Sequence, residues 1–156
     1  IIRHASSGDF QSQMIPPTFS GWCVQLLLRE QEVGTVRLSP CDLYITDDTV
    51  LQPDVMLIKP DNPNCELEDD GYWHGAPDLV VEVLSPGTAS LDRGRKFQLY
   101  AQHGVLEYWL ADPQAQFIEV FTPQNSQFIQ QGLYEINATF TSGVLGADVI
   151  VQKCFA

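Results

Sequence analysis

Two carboxylates stand where apolar residues are expected. In "APDLVVEVLSPG" (Ala76 to Gly87) a Val- and Leu-rich run from Leu79 to Leu84 carries Glu82 in its middle, with Asp78 at its mouth. A buried charge is costly unless it is paired or bound to a metal. A third acid, Asp54, follows Pro53 at the mouth of the apolar run "PDVMLI". If the two runs are neighbouring strands, Asp54 and Glu82 converge. Two hard oxygen ligands, completed by water and a phosphate, suit Mg²⁺ or Mn²⁺. A metal so held polarises a phosphodiester and activates water.

Such chemistry also wants a cation near the developing charge. Lys96 lies in "SLDRGRKFQLYAQHG", about 40° from Tyr100 on a helical wheel. It flanks the apolar stripe of that helix, so its stem can run along the core and deliver the ammonium to the site. Arg93, Arg95 and Lys96 form a local basic cluster at the helix start, a candidate contact for nucleic acid. Each residue also has a plainer reading. Asp after Pro commonly forms turns, so Asp54 and Asp78 could be structural. A helical lysine or basic cluster is usually a solvated face. Glu82, between Val81 and Val83, has the fewest plain explanations.

Other chemistries find little support. The histidines His4, His74 and His103 are dispersed, and Ser85 lacks the G-x-S-x-G turn of an acyl-transfer nucleophile. No G-x-G-x-x-G or P-loop occurs. Cys23, Cys41, Cys65 and Cys154 lack the paired spacing of a zinc site and read as reduced thiols of a cytoplasmic protein. Trp73, Tyr108 and Trp109 read as core or interface aromatics in preference to base-stacking platforms.

The elements that must position these residues follow from periodicity. "TFSGWCVQLLLREQE" has helical spacing, with Gly34 as its stop. "TVRL" and "DLYIT", joined by "SPC", read as a hairpin, and Asp47-Asp48 as a turn. "PDVMLI" is a strand. Lys59 to Gly75, with four acids between Glu66 and Asp70, reads as a mobile surface loop. "LVVEVL" is a strand covered on both faces. The helix around Lys96 starts near Ser90 and stops at Gly104. "EYWLAD" and "QFIEVF" form a hairpin, followed by further β structure. The expectation is an α/β (α+β) domain, a mixed sheet flanked by helices with additional hairpins.

The chain has 156 residues, enough for one domain with a sizeable core. It begins with Ile1, so a preceding segment is expected to be missing. No run is long enough to span a membrane. The net charge of −12 repels a nucleic-acid backbone at long range but permits binding through a metal or a small basic patch.

"LQPDVMLI", "GAPDLVVEVLSPGT" and "DRGRKFQLYAQHGVLEYWLADP" together resemble the Uma2 family. The resemblance is close from Leu51 to about Phe121 and looser at "RLSPCDLYI". It implies a restriction-endonuclease-like fold of the PD-(D/E)xK superfamily, residues 1–156 forming one such domain, and a divalent-metal-dependent endonuclease acting on nucleic acid, DNA above all. On that pattern Asp54 is the P-D acid, Glu82 the acid of the next strand, and Asp78 a further ligand or a support for the strand mouth. Leu84 stands where the superfamily lysine is expected, so Lys96 takes that role from the helix. Two alternatives remain: an inactive binding or assembly module of the same fold, and an unrelated hydrolase. A homodimer through the aromatic strand "EYWLA" is a further expectation.

Overall fold

The computed structural model describes residues 30–85 and 94–155. Its frame is a six-stranded sheet in the order β1-β4-β7-β8-β9-β10, formed by Thr35–Leu38, Val55–Ile58, Leu79–Val83, Glu107–Asp112, Phe117–Gln124 and Gln127–Glu135. Only β7 and β8 run parallel within it. Parallel neighbours need a crossover, and helix α2 (Arg95–His103) lies in that connection. The helix ends where the sequence predicts. Gly104 takes φ +100°, a left-handed conformation suited to glycine, and its N–H bonds back to the Tyr100 carbonyl.

A four-stranded sheet, β3-β2-β6-β5, uses Thr49–Leu51, Leu43–Thr46, Trp73–Gly75 and Cys65–Leu67. A final hairpin pairs β11 (Thr139–Ser142) with β12 (Ala147–Ile150). Short helices α1 (Glu30–Val33) and α3 (Val151–Cys154) complete the described elements.

The six-stranded sheet is covered on both faces because its central strands are apolar on both. Along β7, Leu79, Val81 and Val83 face one core cluster with Trp109, Phe140 and Val151. Val80 faces the other, with Tyr100 and Ala101 of α2 and Leu43 and Leu51 of the second sheet. All five β7 residues are buried. A strand without alternation is what two-sided burial requires.

Three expectations change. "TVRL" and "DLYIT" do not form a hairpin. β1 pairs instead with β4, Thr35 opposite Ile58, while β2 turns through Asp47-Asp48 to pair with β3. The residues from Lys59 to Gly75 are not a structureless loop, since β5 and β6 pair within them. Their acids build the connecting turn: Asp70 accepts the Tyr72 N–H at 2.9 Å and bonds His74 at 2.8 Å, and Gly71 supplies φ +84°. The strand "EYWLA" is interior and wholly buried, so it offers no surface to a second copy. The predicted helix before Glu30 and the predicted cap at Ser90 fall outside the described residues.

Candidate active site

The β4–β7 register brings the two acids together. Val55 lies opposite Val81 and Met56 opposite Val80. Asp54 and Glu82 are the residues one step beyond the last pair of this antiparallel register. Residues directly opposite share a face, with Cβ atoms about 5 Å apart. The adjacency is fixed chemically as well: Asp54 Oδ2 accepts the Val83 N–H at 2.7 Å. Both acids are buried, Glu82 to 1% exposure and Asp54 to 9%.

Helix α2 covers this pair. Lys96 and Tyr100, four residues apart, lie on one helical face and both reach the same atom. Lys96 Nζ stands 3.2 Å from Glu82 Oε1, and the Tyr100 hydroxyl donates to that oxygen at 3.0 Å. The ion pair is sheltered, with side-chain exposures of 8% for Lys96 and 2% for Glu82. Burial, and next the Glu82 carboxylate, hold the Tyr100 phenol well above its ordinary range. Tyr100 therefore stays protonated and acts as a donor. Carboxylate, ammonium and phenol thus meet at the C-terminal end of β7, where charge interactions are screened weakly by water.

The model of the Uma2 family, described as "Putative restriction endonuclease", matches residues 2–146. The chain belongs to the Uma2 family. This membership supports a nuclease-like function. A crystal structure described as "a putative nuclease belonging to DUF820", from Anabaena variabilis, superposes with a TM-score of 0.68 at 20% identity, covering 99% of this chain and 89% of that one. At that identity the likeness shows the fold, and it agrees with the restriction-endonuclease-like α+β arrangement read from the sequence. "Uncharacterized protein slr1290" from Synechocystis is 59% identical over 34 residues, 22% of this chain; the match spans 18% of that relative's own length.

In this Uma2 chain the structure does not bring Asp78 to the same site. It precedes β7 by one residue, four positions from Glu82, about 13 Å of strand rise. Its Oδ2 accepts the Lys59 N–H at 2.8 Å and the Asn62 side-chain amide at 2.7 Å. Its carbonyl accepts the N–H groups of Leu106 and Glu107. Asp78 supports the strand mouth, the other role weighed for it in the sequence. Leu84, two residues past Glu82, is half-buried. Arg95 is exposed at the start of α2, and Arg93 lies outside the described residues.

Two residues of this Uma2 site escape the sequence reading. Tyr100 reads there as part of an apolar stripe, yet its i+4 spacing from Lys96 is the signal that it shares the Glu82 face. Glu119 on β9 is buried to 7% exposure. It pairs with Leu110, which pairs with Glu82, so all three lie in one row on the helix-facing side of the sheet. Only the strand order, which the sequence does not state, reveals this. A separate group, Glu68, Asp70 and His74, brings one ligand atom from each within 4.8 Å. It sits on the β5–β6 turn, where the Asp70 contacts already described account for its geometry.

Proposed function

We propose that this chain is a divalent-metal-dependent endonuclease that hydrolyses phosphodiester bonds of nucleic acid, DNA being the preferred candidate. The reading takes residues 1–156 as one domain of this kind and the cytoplasm as its place of action. The observation that supports it is the Lys96 ammonium on buried Glu82, with Asp54 bonded to the next residue's N–H, that of Val83.

The donor set fits the metal. Two carboxylates on rigid neighbouring strands are hard oxygen ligands of the type Mg²⁺ and Mn²⁺ accept, with water filling the other positions. When bound, the ion supplies Lewis-acid polarisation of the phosphate and a more acidic water. The protein's own parts act around it. Asp54 is oriented by the Val83 N–H, which leaves its position fixed before any ligand arrives. Tyr100 holds Oε1 of Glu82 and so sets the carboxylate plane. Lys96 presents a positive charge to the developing phosphorane-like charge, replacing the strand lysine whose place Leu84 occupies. Arg95, with Arg93 beside it in sequence, supplies positive charge along the strand being cut.

One observation favours a second reading. The Lys96–Glu82 pair is internally neutralised and almost wholly sheltered, as suits a nuclease fold that binds or assembles without turnover. Calorimetric titration of Mn²⁺ into the wild type and Glu82→Ala separates the two, with circular dichroism confirming that both are folded. Binding to the wild type that disappears in the variant is the expected result. A folded wild type that takes up no Mn²⁺, alone or with an oligonucleotide present, overturns the metal-dependent reading.

A further inference from the structure

Beside the acid pair, on the same side of the sheet, lies a second feature. Arg37 on β1 pairs with Met56, and Met56 with Val80, so Arg37 shares the row two positions along from Asp54 and Glu82. Paired residues share a face, and two positions along a strand amount to about 7 Å. The link is direct in the backbone: the Ser39 N–H bonds the Asp54 carbonyl at 2.9 Å. Arg37 opens into a cleft of about 400 Å³ lined also by Cys41, Asp42, Gln52, Tyr72 and Trp73. Gln52, two residues before Asp54 in sequence, lines the cleft.

The chemistry of this cleft is aromatic and cationic. The Arg37 guanidinium carbon lies 5.7 Å from the centre of the Trp73 ring. Tyr72, 43% exposed, leans against Tyr44 with ring centres 5.3 Å apart, and Tyr44 stacks on His74. Asp42 is engaged by the Gln52 amide. An exposed tyrosine and a half-buried tryptophan beside an arginine are elements that can hold unpaired bases, which offer their π-faces to such platforms. A paired duplex cannot offer them, because its bases are stacked on one another. Glu66, Glu68, Asp69 and Asp70 lie on or beside the β5–β6 turn that carries Tyr72, so phosphate contacts on that side are disfavoured and binding there would rest on the base.

We infer that this cleft is a base-binding subsite: an unpaired nucleobase next to the scissile phosphate stacks against Trp73 and Tyr72, with Arg37 facing its own phosphate. The inference rests on the nuclease reading for its place beside Asp54 and Glu82, and it narrows the substrate class to single-stranded or locally opened nucleic acid. A base anchor adds binding energy that does not come from phosphate contacts, which a chain of net charge −12 disfavours at long range.

The test is fluorescence anisotropy at low salt, in EDTA so that nothing is cut. The probes are a labelled oligothymidylate, an abasic strand of equal length, and a duplex of equal length. The wild type is expected to bind oligothymidylate roughly ten-fold or more tightly than either of the others. Tyr72→Ala, at an exposed position, and Trp73→Leu are each expected to bring it down to the abasic level, while Asp78→Ala keeps the preference. Equal binding of abasic and base-bearing strands, a preference unchanged in Tyr72→Ala, or no oligothymidylate binding overturns the subsite. Failure of the two readings is distinguishable because metal is absent here. A base preference without Mn²⁺ uptake at Glu82 removes the nuclease reading alone, and Mn²⁺-dependent cleavage without a base preference removes the subsite alone.

Discussion

Strand β7 carries a buried carboxylate at each end, and the two are held by opposite means. At the N-terminal end Asp78 is satisfied by neutral donors, a backbone N–H and an asparagine amide. At the C-terminal end Glu82 faces an ammonium and a phenol from one turn of helix. Neutral donors fix a chain and leave the local charge negative. An ammonium neutralises the carboxylate and places two opposite charges where water is scarce, an arrangement that is weak as a source of stability but poised to respond to an arriving cation or phosphate. The same strand thus has an end that closes the fold and an end suited to chemistry.

The largest expected effects break the Glu82 end. Glu82→Ala strips Lys96 of the carboxylate it faces; removing one partner of a buried pair costs about 3–5 kcal/mol, read by urea unfolding. The same variant is expected to lose Mn²⁺ binding. Lys96→Met leaves the carboxylate without its ammonium and incurs a penalty in the same range, but Mn²⁺ binding should persist or tighten, because a competing cation has gone. If Lys96→Met and Glu82→Ala lose metal equally, the ammonium does not stand apart from the ligands and the division of roles proposed above is wrong.

Much of this end was legible in the sequence. Glu82 is conspicuous because an acid interrupts a run with no alternation, and a run of that kind must be covered on both faces. The helical wheel sets Lys96 beside the apolar stripe, its role follows only from the Uma2 resemblance, and the stop at Gly104 follows from its residue type. What was not legible depends on pairing between distant segments. "TVRL" chooses β4 over its sequence neighbour, and nothing local in four residues encodes that choice. The strands of Cys65–Leu67 and Trp73–Gly75 are three residues each, too short to display a period, and their acid-rich turn resembles solvated loop. Asp54 and Asp78 share the Pro-Asp signature, yet the antiparallel register sends one to Glu82 and leaves the other four residues away. Trp73 read as a core or interface aromatic and does pack against the core, while also lining the Arg37 cleft.

Smaller effects sharpen the contrast from the other end. Asp78→Ala orphans the Lys59 N–H and the Asn62 amide it now accepts, and should cost about 3 kcal/mol in urea unfolding with Mn²⁺ affinity unchanged. A parallel loss of metal would draw Asp78 back into the ligand set. Tyr100→Phe keeps the ring and removes one hydrogen bond to a charged oxygen, about 1.5 kcal/mol. Its loss should be non-additive with Glu82→Gln in a double-mutant cycle, because both act on one contact.

The smallest effect separates burial from bonding. Asp70 is held like Asp78, by a backbone N–H, but in open water on the β5–β6 turn. The Tyr72 N–H, and after it His74, lower the Asp70 carboxyl below its ordinary value of 3.8. A carboxyl whose folded value lies below its unfolded one contributes stability that is present above the unfolded value and disappears as pH falls through the folded one. Asp70→Asn should therefore be slightly less stable than the wild type at neutral pH, and indistinguishable from it once both are acid enough to protonate the wild-type carboxyl. Thermal unfolding of the pair across that acid range checks the sign. A difference that persists unchanged into strong acid would mean that the Asp70 charge is not what stabilises the turn.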